Sequence, residues 1–415
     1  MKKHAIVIVG GGPAGMAAAV AAYDRGVTDV VILDREPRLG GILQQCIHNG
    51  FGLHKLGREL TGPEYADVYA QQVAERNIPV FYETMVTSVS PDRVVTARNR
   101  EGILKIQAEA VILAMGCRER SRGALNICGT RPAGIYSAGT AQKLINCDGY
   151  MVGKRVVILG SGDIGLIMAR RMSLEGAKVE AVCELMSYSG GLTRNIVQCL
   201  EDFGIPLYLS TTVVQIHGQK RLEGVTVAQV DENRRPIEGT SRFIPCDTLL
   251  LSVGLIPENE LTQVCGIPMD PVTGGAMVDE RCMTKVSGIF ACGNVLHVHD
   301  LVDYVSDEAE RAGKGAADFV REGKASEGAY LQTKAGKGVR YVVPQQLRKD
   351  TGDVDLFMRV TQPFGKVKFT VTAGDKVLAV AKRLKAAPGE MERITLKQAL
   401  LQDAEGTVTV ELEEL

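Results

Sequence analysis

Two runs of unbroken apolar residues end at glycine: "AIVIVGGGPAG" over residues 5 to 15 and "VVILGSGDIG" over 156 to 165. A short apolar run without polar alternation, closed by a glycine turn, predicts a strand buried on both faces. The segment after the first turn, "PAGMAAAV", is rich in small residues, as a helix packed tightly on a sheet requires. Each unit then returns to an apolar strand closed by an acid: "VVILD", ending at Asp34, and "KVEAVCE", ending at Glu184. The period changes toward the C-terminus. "VRYVV", "VDLFMRV", "KVKFTV", "KVLAVAKRL" and "TVTVEL" alternate apolar and polar positions between Gly, Pro and Asp. That pattern predicts a small β-sandwich of about 80 residues, with one face of each strand in water. The polar stretch "REGKASEGAYLQTKAGKG" at 321 to 338 reads as the linker leading to it.

The glycines of the two turns are spaced for chemistry. In a dinucleotide loop the first glycine permits the tight turn and the second lets the backbone approach a pyrophosphate. The third lets the helix pack on its strand. Gly10, Gly12 and Gly15 have that spacing, with Pro13 and Ala14 opening the helix. Gly160, Gly162 and Gly165 repeat it at an offset of 150. Asp34 and Glu184 stand where an acid accepts hydrogen bonds from a ribose. An acid there also repels a 2′-phosphate, which favours NAD over NADP at the second site. The alternative is a second unit that keeps the fold without the ligand. Two Rossmann-like domains in one α/β chain are therefore expected.

Composition narrows the class. The chain has 415 residues, more than one ordinary core, and a net charge of −1, which gives no reason to expect nucleic acid as a partner. No apolar run approaches the ~18 residues of a membrane helix, so direct membrane insertion is not expected. The first strand begins by about residue 5, leaving no room for a signal peptide, and a cytoplasmic protein is expected. Ten cysteines include no C-x-x-C pair, as suits reduced, mostly buried thiols.

Three further segments carry a resemblance. "AVILAMG" (110 to 116), "LLLSVGLIPENEL" (249 to 261) and "TKVSGIFACGN" (284 to 294) resemble landmarks of the pyridine nucleotide-disulfide oxidoreductase superfamily: the A-T-G crossover, the G-x-x-P return and the terminal FAD motif. With the two loops, they follow the family's order over roughly residues 1 to 325. The resemblance implies a thioredoxin-reductase-like arrangement. An FAD-binding domain is split between 1–120 and 250–325, an NAD-binding domain occupies 121–249, and a β-rich C-terminal domain fills 326–415. It implies FAD and NAD as cofactors. The positions implied to touch them are Gly10, Gly12, Pro13, Ala14, Gly15, Asp34, Arg35, Gly41, Val86, Ala114, Gly116, Gly160, Gly162, Gly165, Glu184, Gly254, Gly293 and Asn294. The family ends its terminal motif in Asp; the amide of Asn294 can still bond a ribityl hydroxyl. The helix that follows, from about Asp300 to Phe319, is expected to aim its positive end at the flavin.

One departure changes the expected chemistry. The loop "LGGILQQCIHNG" holds one cysteine, Cys46, and Cys183 also has no second cysteine close by in sequence. Thiol–disulfide relay needs two adjacent sulfurs, so disulfide reduction is disfavoured. The segments "GCRER", "GIYSAGTAQ" and "GLTRNIVQCLEDFGIPL" resemble instead the flavoprotein subunits of bacterial dehydrogenase complexes. These are the hydrogen cyanide synthase, octopine oxidase and anaerobic glycerol-3-phosphate dehydrogenase-associated types. That likeness implies an FAD-dependent, NAD(H)-linked oxidoreductase passing electrons between nicotinamide, flavin and a partner dehydrogenase or iron–sulfur/CxxC subunit, with glycerol-3-phosphate or amino-acid oxidation as the driving reaction. A homo-oligomer is left open, and a non-catalytic scaffold subunit is the alternative. Cys46, His48, His297 and His299 are the candidate catalytic groups, because they lie beside the segments implied to face the flavin. Arg118 and Arg120 are candidates for holding an anion. The H-x-H of His297 and His299 offers two metal ligands with no third in view, so no metal is expected.

Overall fold

The structure is a computed structural model that describes residues 1–323 and 329–415. Two compact units form: Met1–Cys117 with Pro257–Leu415, and Arg118–Ile256.

In the first unit the strand Lys2–Val9 sits mid-sheet, in parallel pairing with Val30–Leu33 on one side and Gly102–Leu113 on the other. Val80–Phe81 and Ile289–Ala291 extend the parallel set, and Val94–Asn99 and Met85–Val89 form an antiparallel margin. Ile6 to Val9 and Val30 to Leu33 are all buried, because helices cover one face and further strands the other. The helix Pro13–Asp24 is buried from Ala14 to Ala22, and its alanines admit the long helix Val302–Glu322. The approach is close: a side chain on Gly313 would meet the Ala18 carbonyl at 2.3 Å.

The second unit repeats the plan. Its five parallel strands run in the order Ile135–Ser137, Thr248–Leu251, Arg155–Leu159, Lys178–Cys183 and Leu207–Tyr208. A four-stranded sheet from Cys128–Gly129 to Arg242–Pro245 lies beside them.

The C-terminal strands form a five-stranded and a three-stranded sheet around one apolar core. Val367–Ala373 shows how: Val367, Phe369, Val371 and Ala373 are buried while Lys368, Thr370 and Thr372 are not. The predicted linker is shorter than its composition suggested. Residues 321–323 close the long helix, and Tyr330–Ala335 is a strand paired in parallel with Val408–Glu414. Of that stretch, 324–328 lie outside the described residues.

Candidate nucleotide sites and a buried histidine pair

In the first loop, Gly10 holds a left-handed φ of +109°, and a Cβ there would lie 2.5 Å from the Ala114 carbonyl oxygen. Gly15 faces Gly10 itself, its Cβ position 1.8 Å from that carbonyl. Gly12 differs, since nothing lies within 4 Å of its Cβ position. Its face stays open where a phosphate would approach. The helix beginning at Pro13 has no acid in its first turn, so its amide end is electropositive. One Asp34 oxygen accepts the Gly11 amide at 2.5 Å and the other accepts the Glu36 amide at 2.8 Å. Burial pushes this carboxyl above its usual range, against the downward pull of those two bonds. The turn at Gly40 and Gly41 folds onto the same loop: the Gly40 amide donates to the Gly11 carbonyl, and a Cβ on Gly41 would come 3.1 Å from Gly12 Cα.

The second loop copies this clamp in its own unit. Glu184 accepts the Ser161 amide at 2.8 Å, the Ser161 hydroxyl at 2.6 Å and the Met186 amide at 2.9 Å. Gly160 has φ +97° against the Ser252 carbonyl, and the Gly165 amide donates to Ser252 Oγ. One residue breaks the copy. Asp163 stands in the first turn of the helix Asp163–Leu174, where Pro13 stands in the first loop. Its carboxylate accepts the Leu192 amide at 2.8 Å and the Asn195 side-chain amide at 2.6 Å, drawing the 189–195 segment over the loop. The sequence reading overlooked this acid because it lies between the glycines that define the motif.

The remaining sequence-predicted positions are scattered around these turns. Ala114 donates its amide to the Val9 carbonyl, and Gly116, with φ +74°, accepts the Glu258 amide. Val86 is a buried strand residue opposite Ala97. Arg35 is exposed beside Glu36. In the second unit, Gly254 has φ +102° and accepts the Arg120 amide. The Cys46 thiol donates to the Ile42 carbonyl at 3.4 Å, and the His48 ring lies 5.1 Å from that of Phe51. Among the described residues none of the ten cysteines is in a disulfide. Burial pushes the Cys183 thiol up to about 12, far from a thiolate.

The other two histidines converge. His297 Nε2 lies 2.7 Å and His299 Nε2 3.2 Å from the two oxygens of Glu308, a helix residue the sequence reading did not single out. A third group beside H-x-H was expected to be missing, and Glu308 supplies it: the three donor atoms lie within 4.8 Å of one another. Helix periodicity alone could have flagged Glu308, because it falls among the buried residues Val305, Ala309 and Ala312. Both histidine side chains are almost fully buried, at 1% and 0% exposed. Burial pushes the His297 pKa down, with Glu308 opposing. Burial would raise the Glu308 carboxyl, but the two facing rings outweigh it and hold the acid well below its usual range. The contacts are hydrogen-bond distances. Neither Nδ1 has a hydrogen-bond partner among the described residues, whereas metal-bound histidines normally donate their second nitrogen to one. A hydrogen-bonded carboxylate–histidine cluster fits better than a metal centre.

This pair of glycine-turn clamps in parallel-stranded units defines the class: a chain with two dinucleotide-binding-type units. The comparisons make it specific. Residues 4–315 match the pyridine nucleotide-disulphide oxidoreductase family, and the chain belongs to that family. Family members work with FAD and a nicotinamide nucleotide. The chain is 29% identical over 283 residues to the HcnB subunit of hydrogen cyanide synthase from Pseudomonas protegens, covering 63% of this chain and 58% of that one. It is 26% identical over 317 residues to an opine oxidase subunit of Agrobacterium tumefaciens, covering 70% and 60%. The matched region thus spans somewhat under two thirds of these relatives. Among solved structures, T. acidophilum thioredoxin reductase superposes with a TM-score of 0.63 at 25% identity, covering 77% of this chain and 99% of that one. Among the described residues no helix is long and apolar enough to cross a membrane.

Proposed function

We propose that the chain is an FAD-dependent, NAD(H)-linked oxidoreductase subunit that exchanges electrons with a partner subunit or acceptor. The observation that carries this reading is the duplicated clamp, with Asp34 on Gly11 in one unit and Glu184 on Ser161 in the other. FAD, when bound, supplies two-electron chemistry with the nicotinamide. The protein's part is to grip and orient. The open face of Gly12 and the amide end of the first helix receive the pyrophosphate, and Asp34 accepts from the adenosine ribose. Asn294 meets the ribityl chain, its Oδ1 already accepting the His299 amide at 3.0 Å. Glu184 and Gly162 play the equivalent parts for NADH, and the acid favours NAD over NADP. The relatives named as subunits support a partner subunit, and the resemblance suggests one of dehydrogenase or iron–sulfur type. The single, hydrogen-bonded Cys46 argues against disulfide reduction. Cys46 and His48 remain the candidates for substrate-side chemistry, whereas the burial of His297 and His299 suits a positioning role.

Asp163 favours a second reading. A carboxylate at the amide end of the second helix opposes a pyrophosphate, as expected of a scaffold subunit whose second site has lost its nucleotide. Anaerobic rapid mixing of the FAD-loaded chain with NADH separates the two. Loss of the flavin absorbance band at turnover rates of about 1–10³ s⁻¹ is expected for the enzyme. Retained absorbance with FAD bound would leave the scaffold.

A further inference from the structure

We infer that the C-terminal β-domain is a positioning element for the flavin-binding turn, acting through His297, His299 and Glu308. The inference rests on the proposed placement of Gly293 and Asn294 against FAD.

Four hydrogen bonds link that turn, Glu308 and the two histidines. Glu308 Oε1 accepts the Gly293 amide at 2.7 Å and also faces His299 Nε2. The His299 amide holds Asn294 Oδ1, so His299 grips the turn through its backbone and Glu308 through its ring. His297 completes the set on Glu308 Oε2. Gly293 itself, at φ +74°, has room for nothing larger, because a Cβ would lie 2.8 Å from the Ala14 methyl. A shift of Glu308 therefore changes both the turn and its contact with the first helix.

The rings bond Glu308 from Nε2, and among the described residues neither Nδ1 has a hydrogen-bond partner. Their remaining support is packing, and it comes from the C-terminal domain. Tyr341 meets the His297 ring edge-on at 6.0 Å, and Phe357 lies 6.0 Å from His297 and 6.3 Å from His299. Arg359 Nη2 donates to the Val298 carbonyl between the two histidines at 3.0 Å. The Met391 amide donates to Asp300 at 3.2 Å. The domain thus pins the segment between the flavin motif and the long helix along its length. It also keeps water off a carboxylate whose bonds are strong only while it stays dry.

Full-length apoprotein variants test this, read by FAD titration and by amide hydrogen exchange at residues 293–300. Arg359→Gln and Phe357→Leu should each weaken FAD binding on the order of tenfold, the equivalent of one supported hydrogen bond. Both should also speed exchange of the Gly293 and His299 amides. Leu378→Ala, in an apolar cluster of the same domain that includes neither Tyr341 nor Phe357, should lower the melting temperature and leave FAD affinity unchanged. An FAD Kd within twofold of wild type for either positioning variant overturns the inference, as does an equal loss in Leu378→Ala. A wild-type Kd that responds to a chelator or to added Zn²⁺ also overturns it, in favour of a metal held by the same side chains. If wild-type protein binds no FAD, the functional reading fails instead. The exchange data then decide the coupling alone, with unchanged rates overturning it.

Discussion

A methyl group on Gly15 would sit 1.8 Å from the Gly10 carbonyl, whereas on Gly165 the nearest atoms are the Gly160 carbonyl at 2.7 Å and the Ser252 side chain at 2.8 Å. Both positions meet backbone, but the overlap at Gly15 is far deeper, so the two loops differ in tolerance. Gly15→Ala should cost up to about 3 kcal/mol and abolish FAD binding, while Gly165→Ala should cost about 1 kcal/mol. Thermal melts and flavin titration check the order. Asp163 makes the other prediction at this scale. Its charge faces the phosphate end of the second loop but bonds only Leu192 and Asn195 among the contacts described. Asp163→Asn keeps an acceptor for those bonds and removes the repulsion. It should tighten NADH binding at least about threefold, the scale of a partly exposed charge interaction, measured by calorimetry. An unchanged or unmeasurable affinity would speak for the scaffold reading.

At the scale of elements, Asp279 tests how the C-terminal strands meet the FAD-type unit. It is 4% exposed, accepts the Arg281 and Met283 amides, and lines a cavity of about 180 Å³ together with Glu308, Arg311 and Phe357. Burial, reinforced by neighbouring Glu280, pushes its carboxyl up to about 7. A folded-state value above the unfolded one makes this group stabilising below about pH 4, an advantage lost as pH rises through about 7. Asp279→Asn should flatten that slope, so the wild type loses stability relative to the variant between pH 4 and 7 in urea titrations. The elements also divide by how far each could be read in advance. Gly10 to Asp34, its repeat at Gly160 to Glu184, and the alternating Val367–Ala373 strand are local patterns, and each is present in the structure. Tyr330–Ala335 was hidden because its polar composition suits a linker, while its pairing partner Val408–Glu414 lies far along the chain. Glu308 was hidden for a related reason. Nothing near it in sequence announces a buried acid, and the groups that make its burial tolerable, the Gly293 amide and the His297 and His299 rings, reach it only through the fold.

On the scale of the whole molecule, the family likeness ends at residue 315, yet the core does not. Tyr341 and Val343 belong to the same apolar cluster as Val111, Leu113 and Leu296 beneath the first sheet. Arg311 of the long helix stacks on Phe357 and pairs with Asp355 at 3.2 Å, and the Arg348 amide donates to Glu280. A module merely tethered after the nucleotide units would carry polar residues at these places. Instead, removing it would bare apolar surface and strand the Glu308 cluster in water. The C-terminal strands and the Met1–Cys117 sheet should therefore unfold together. Native-state hydrogen exchange should give the amides of Val354–Val360 and Gly102–Leu113 one common opening energy. Two separated energies, with the C-terminal strands opening first, would mean the domain is an appendage and would remove the basis for coupling it to the flavin turn.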